Sequence, residues 1–200
     1  DAGADGQMPA ATGRAAAGVD RAAAIGDHAA DPAAEPVCMP LEVIRADYAD
    51  RRHAAAIVGL LDAYAQDPMG GGRPLPAHVH ERLVPGLAAT PGALTLLALE
   101  GAAFVGLVNA FAGYSTFIAR PLLNLHDVFV RPDHRGRGIA RRLLQAAEAV
   151  ARDRGCGKLT LEVLSGNTAA QQLYRALGYA PYALDEAAGD ARFWQKPPDA

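Results

Sequence analysis

Asn124-Leu-His-Asp-Val-Phe-Val-Arg-Pro-Asp-His-Arg-Gly-Arg-Gly-Ile-Ala-Arg-Arg-Leu-Leu-Gln145 reads as a strand, a tight loop and the start of a helix. Leu125, Val128, Phe129 and Val130 form a mostly apolar run with β-branched residues, as expected of a buried strand. Pro132 cannot donate to a sheet ladder, so the strand should end near Arg131. Gly136 and Gly138 then remove two Cβ atoms from the turn. Ile139, Leu143, Ala147 and Val150 follow at helical spacing, with Leu144 and Ala151 beside them. Arg141, Arg142, Gln145, Glu148 and Arg152 fill much of the opposite face.

A helix that opens on such a loop presents unpaired backbone N–H groups. Together with the helix dipole they favour an anion. The glycines let a phosphate approach the backbone closely. Arg135 and Arg137 add donors suited to phosphate oxygens. The physical reading is a pyrophosphate cradle. Two well-known phosphate loops do not fit. The dinucleotide fingerprint needs a third Gly or Ala where Arg141 stands, and the P-loop pattern fails because Leu159 follows Gly157-Lys158.

Arg135-Gly-Arg-Gly-Ile-Ala140 does match the pattern Q/R-x-x-G-x-G/A, which in the GCN5-related N-acetyltransferase superfamily binds the pyrophosphate of coenzyme A. Downstream, Asn167-Thr-Ala-Ala-Gln-Gln-Leu-Tyr-Arg-Ala-Leu-Gly-Tyr179 is similar to the second characteristic motif of that superfamily. The resemblance covers residues 41–196. It implies an acetyl-CoA-dependent N-acetyltransferase on a mixed α/β fold, with a central twisted sheet flanked by helices. It also makes a homodimer an expectation.

Around the central stretch the element order reads β, α, α, β, β, β, α, β, α, β, β. Leu41–Arg45 is a strand. Asp47 or Asp50 caps a helix to about Ala65, with Ile57, Leu60, Leu61 and Tyr64 on one side. Asp67-Pro-Met-Gly-Gly-Gly-Arg-Pro-Leu-Pro76 excludes regular structure and is either a linker or a mobile lid. A helix over 77–88 is ended or kinked by Pro85. Strands follow at Ala93–Leu99, Phe104–Phe111 and, after the central unit, Lys158–Leu164. Asn167 caps a last helix that stops at Gly178. Tyr179–Leu184 and Ala191–Lys196 are expected to close the fold as a hairpin.

Residues 1–38 are Ala, Gly, Asp and Pro with hardly a large apolar side chain, so they cannot bury enough surface to offset chain entropy. They are expected to be a disordered or low-complexity extension, with a single domain over 39–200. The net charge of −3 argues against broad nucleic-acid or membrane-surface binding. Two cysteines, Cys38 and Cys156, make no disulfide framework. No secretory signal pattern is present, and the apolar run Ala93–Leu99 is too short to span a bilayer. A cytoplasmic protein is the default. His78 and His80 do not share a helix face and lack a third ligand, so no metal is expected.

The resemblance implies a division of labour. Arg135, Gly136, Arg137, Gly138, Ile139, Ala140 and Arg141 grip the cofactor. The backbone of Val128, Phe129 and Val130 takes the pantetheine arm as an added strand, and a free N–H there polarises the thioester carbonyl. Tyr174 protonates the departing thiolate. By pattern alone, Tyr174 is equally a core tyrosine with its hydroxyl at the surface. Asn167 binds cofactor or simply caps its helix.

The proton acceptor has two side-chain candidates, His126 and Asp127, and a water relay is the third. An alkyl ammonium near pKa ~10.4 costs roughly 4–5 kcal/mol to deprotonate at neutral pH, which a relay can supply. On a regular strand His126 and Asp127 point to opposite faces unless a bulge intervenes. Leu125-His-Asp-Val-Phe-Val130 is similar to the Leu-Glu-Asp-Phe-Phe-Val run of diamine acetyltransferases, which carries over Asp127 but puts His126 where they have Glu. A non-catalytic acyl-CoA-binding domain is the alternative, and the amine acceptor stays open.

Overall fold

The computed structural model describes residues 40–182, 191 and 193–198. The expectation for residues 1–38 lies outside them. The chain runs β1 (Leu41–Arg45), α1 (Arg51–Gln66), α2 (Ala77–Ala89), β2 (Ala93–Glu100), β3 (Ala103–Ser115), β4 (Arg120–Val130), a 3-10 turn (Pro132–His134), α3 (Ile139–Asp153), β5 (Lys158–Leu161) and α4 (Thr168–Ala176). The five strands lie side by side in chain order. The first three junctions are antiparallel and β4–β5 is parallel. This is the mixed α/β sheet with helices on both faces that the element order implies.

β2 is buried along six consecutive residues because both of its faces are covered. Leu94, Leu96 and Ala98 join Val105, Val108, Leu125, Leu143, Leu144 and Ala147 in one core. Leu97 joins Leu107, Phe129, Ile57, Leu60, Val84 and Leu87 in the other. The first core lies under α3 and α4, the second under α1 and α2. Each fully buried Leu contributes about 1.5–3 kcal/mol, so the two layers rather than helix propensity hold the elements in place.

Between the two candidate caps of α1, Asp50 is the cap: its Oδ1 accepts from Arg52 N–H at 2.6 Å and His53 N–H at 3.1 Å. Asp47 instead accepts from Ala49 N–H at 2.9 Å.

Three sequence expectations need correction. The helix expected over 77–88 forms as Ala77–Ala89, so of the two roles given to Pro85 that of ending it is excluded, and it closes with Thr90 Oγ1 donating to Gly86 O at 2.7 Å. β5 ends at Leu161, not Leu164, because its pairing with β4 runs only from Leu122↔Lys158 to Leu125↔Leu161. The expected closing hairpin falls partly outside the described residues. Its described part, Tyr179–Tyr182 with Ala191 and Phe193–Lys196, carries no strand.

At Gly106, β3 comes close to both β4 and α3. A Cβ there would sit 2.9 Å from Phe129 O, 3.1 Å from Val130 Cγ2 and 3.3 Å from Leu143 Cδ1. Gly106→Ala should therefore push β4 outward and destabilise the fold by about 1–3 kcal/mol. Urea denaturation reads this as a lower midpoint, and an unchanged midpoint would mean that β4 has slack there.

Candidate active site

β4 leaves the sheet toward a loop whose backbone is built for close approach. Arg131 N–H donates to Val105 O at 2.9 Å, and Arg135 N–H closes the 3-10 turn on Pro132 O at 3.3 Å. Gly136 (φ 74°) and Gly138 (φ 78°) then both adopt the left-handed conformation that glycine tolerates best. Gly138 is the N-cap of α3 and supplies no side chain to it, and the first turn holds no acidic residue. The first intrahelical bond is Arg142 N–H to Gly138 O at 3.1 Å. The N–H groups of the first turn are thus presented at the helix end where an anion is favoured. Ile139 is buried in the core and fixes the helix start, while Arg141 lies exposed on the first turn.

The two loop arginines each have a carboxylate partner within the protein. Arg135 Nη2 pairs with Asp67 Oδ2 at 2.7 Å, its Nε donates to Val130 O at 3.0 Å, and its guanidinium lies 5.7 Å from the Phe129 ring centre. Arg137 Nη2 pairs with Glu100 Oε1 at 2.9 Å. Both cations therefore anchor the loop to the body of the protein. Asp67 is 68 positions before Arg135 and stands at the start of the Gly-rich segment. The other end of that segment is held by Asp62, which accepts from Leu75 N–H at 2.8 Å and faces His80 Nε2 at 3.0 Å.

Beyond Leu125, β4 and β5 part. The residues of β4 from 126 to 130 have no strand partner on that side among the described residues. Because Arg131 bonds to β3, alternation turns the backbone groups of Phe129 and Asp127 toward β3 as well. The backbone of Val128 and Val130 faces the open side. The Phe129 ring packs into the core, stacked on Tyr64 at 5.4 Å and 28°.

His126 is a bulge. Asn109 pairs with Asp127 and Ala110 with Leu125, which leaves His126 without a β3 partner. The bulge removes the expected opposition of the two side chains. His126 Nδ1 stands 3.5 Å from Asp127 Oδ1, and its ring meets Phe111 edge-on at 5.7 Å. His126 is 63% exposed and Asp127 23%.

Tyr174 projects from α4 into the core with only 8% exposure. Burial, and then the neighbouring Tyr64, push its hydroxyl pKa up to about 12. The Tyr64 pKa is raised by burial, then by the negative charges of Asp127 and Asp67. Asn167 caps α4, its Oδ1 accepting from Ala170 N–H at 3.2 Å.

Four residues went unnoticed in the sequence as parts of this region: Tyr48, Tyr64, Thr95 and Asn109. The helical spacing places Tyr64 on one side of α1 with Ile57, Leu60 and Leu61 and says nothing of a site. Thr95 and Asn109 are each a polar interruption of an otherwise apolar strand, and that interruption is the signal that could have found them.

The profile of the acetyltransferase (GNAT) family matches residues 47–179. Thialysine N-epsilon-acetyltransferase of Bos taurus is 39% identical over 79 residues, 40% of this chain and 46% of that protein. Streptothricin acetyltransferase of Streptomyces lavendulae is 42% identical over 82 residues, 41% of this chain and 43% of that protein. The matched stretch thus spans somewhat less than half the length of these relatives. Aminoglycoside N-acetyltransferase AAC(6')-Iy, solved in complex with CoA, superposes with a TM-score of 0.62 at 18% identity, covering 81% of this chain and 98% of that one. A ribosomal-protein-alanine N-acetyltransferase from Brucella melitensis biovar Abortus 2308 gives a TM-score of 0.55 at 21% identity, covering 73% and 99%. At these identities the structures speak to fold alone. Among the described residues no helix is long and apolar enough to cross a membrane.

Proposed function

The chain belongs to the acetyltransferase (GNAT) family, and from that membership we propose that it transfers an acetyl group from acetyl-CoA to a primary amine. Transfer is by direct attack in a ternary complex, without a covalent enzyme intermediate. The observation that supports this reading best is the opening beyond Leu125. There a strand edge without a strand partner leads through a short loop to a helix N-terminus without a side-chain cap.

The residues fit the cofactor by donor type. The first turn of α3 and the loop Gly136–Gly138 offer N–H groups to a pyrophosphate. The Val128 and Val130 backbone offers the edge of a strand to the amide groups of a pantetheine arm. Acetyl-CoA supplies the thioester. A backbone N–H on that edge stabilises the oxyanion that forms as the amine nitrogen attacks the carbonyl carbon. Asp127 and His126 receive the acceptor ammonium and its proton, directly or through water. Tyr174 gives its proton to the departing sulfur as the carbon–sulfur bond breaks.

Thialysine and streptothricin, named by the two relatives, both carry amines, which argues for an amine acceptor without choosing one. The test is calorimetric titration with acetyl-CoA and CoA, followed by thiol release on thialysine, L-lysine, n-butylamine, an aminoglycoside and a peptide N-terminus. Binding with thiol release on at least one amine is expected. Absence of binding would remove the cofactor reading. Binding without release on any amine would leave an acyl-CoA-binding domain.

A further inference from the structure

The sheet register aligns three polar residues in one row. Thr95 of β2 pairs with Asn109 of β3, and Asn109 pairs with Asp127 of β4. The neighbouring row on the same face is Leu97, Leu107 and Phe129, all buried under α1 and α2. Thr95 is 0% and Asn109 1% exposed. A hydroxyl and a carboxamide this deep are costly unless hydrogen-bonded. An apolar row would fill the same space without that demand.

The bonds are present and form one chain. Asn109 Nδ2 donates to Asp127 Oδ2 at 3.0 Å. Thr95 Oγ1 donates to Asn109 Oδ1 at 2.6 Å. Tyr48 OH lies 3.1 Å from Thr95 Oγ1. The direction follows from the end of the chain. An ionised carboxylate only accepts, so Asn109 must turn its NH2 toward Asp127 and its carbonyl toward Thr95. Thr95 then commits its one proton to Asn109, and Tyr48 must donate to Thr95. Phenol, hydroxyl and amide all point their donors toward Asp127. Hydrogen bonds aligned in this way polarise one another.

The other carboxylate oxygen is left on the cleft side. Oδ1 faces His126 Nδ1 at 3.5 Å, and the Asp127 side chain keeps 23% exposure. One oxygen is fixed from within and the other is offered outward.

We infer that Tyr48, Thr95 and Asn109 are positioning residues for the acceptor amine: they hold Asp127 in the one orientation that presents Oδ1 to an ammonium in the cleft. This rests on the amine-acetyltransferase reading above. The chain acts only through Asp127, so its removal acts on the amine and leaves the cofactor grip untouched.

The experiment uses the full chain with n-butylamine, a bare primary ammonium, as the probe and thiol release as the readout. Thr95→Val removes the donor at nearly constant volume. Thr95→Ser restores it. Both are made in wild type and in Asp127→Asn, with acetyl-CoA affinity measured by calorimetry in each. For Thr95→Val, kcat/KM for the amine should fall about tenfold or more, carried by KM, with acetyl-CoA affinity unchanged within about twofold. Thr95→Ser should recover most of the loss. In Asp127→Asn, the added effect of Thr95→Val should shrink to less than about twofold.

The inference is overturned if Thr95→Val lowers only the melting temperature, or if its effect on kcat/KM persists in full beside Asp127→Asn. Failure of the underlying reading looks different, because wild type would then release no thiol with any amine before a variant is made.

Discussion

Gly136→Glu should abolish measurable acetyl-CoA binding in a protein that still folds. A Cβ at Gly136 meets nothing within 4 Å, so a side chain can leave the backbone there without displacing a neighbour at its first atom. Its φ of 74° makes a side chain there strained by about 1–2 kcal/mol, which a domain with two packed layers absorbs. The larger effect is electrostatic. A carboxylate beside the first turn of α3 occupies the place offered to a pyrophosphate and repels it, and like charges juxtaposed in this way cost several kcal/mol. Affinity should fall about a hundredfold or more. Gly136→Ala separates the two causes, since it keeps the strain without the charge and should weaken binding by only about tenfold. The checks are calorimetry with acetyl-CoA and circular dichroism on the same samples. A folded Gly136→Glu protein that binds like wild type would remove the loop from the cofactor site.

The second large effect is expected at Tyr174. Tyr174→Phe should lower kcat by about 10²–10⁴-fold and leave acetyl-CoA affinity unchanged, as loss of a general acid does. The hydroxyl carries its proton through the whole neutral range, as an ordinary tyrosine does, and the rise to about 12 caused by burial and the nearby Tyr64 makes it a weaker acid until the departing thiolate is beside it. The same shift has a consequence for stability with a definite sign. A folded-state pKa above the ordinary value of 10 gives a contribution that is complete below pH 10 and is lost as the pH rises through about 12. Tyr174→Phe should therefore soften the alkaline fall in melting temperature above pH 10. Steady-state thiol release at pH 7–9 and thermal denaturation at pH 9–12 read the two effects separately. If Tyr174→Phe turned over normally while Tyr64→Phe did not, the acid would be Tyr64, whose hydroxyl is also raised by burial and by Asp127 and Asp67.

The central strand, loop and helix were legible because each carries a local signal. Those signals are a β-branched run, Pro132, two glycines and a 3.6-residue apolar period ending in α3. The end of β5 was not legible, since Glu162–Leu164 continue its alternation and only the departure of β4 stops the strand. Pro85 pointed to a break because local sterics disfavour proline inside a helix. Packing of Val84 and Leu87 on the core carries α2 past it. The site was readable in residue type more than in partnership. Arg135 reads as a phosphate ligand from its neighbours, and nothing near it announces Asp67. His126 and Asp127 were expected to diverge unless the strand bulged, and the register shows the bulge. Thr95 and Asn109 were hidden because one polar residue in an apolar strand says nothing about which strand it will meet.

The parting of β4 from β5 also bears on how the molecule assembles. β2, β3 and β4 follow one another as two hairpins with long antiparallel ladders, so neighbouring segments zip them with little loop entropy to overcome. The β4–β5 junction is the opposite case. Its ladder is only four residues long and its two strands are separated by residues 131–157, which include all of α3. The cleft therefore lies at the seam of the sheet with the least backbone bonding to break. The antiparallel ladders of the meander do not depend on that seam, so loosening it alone would leave them intact.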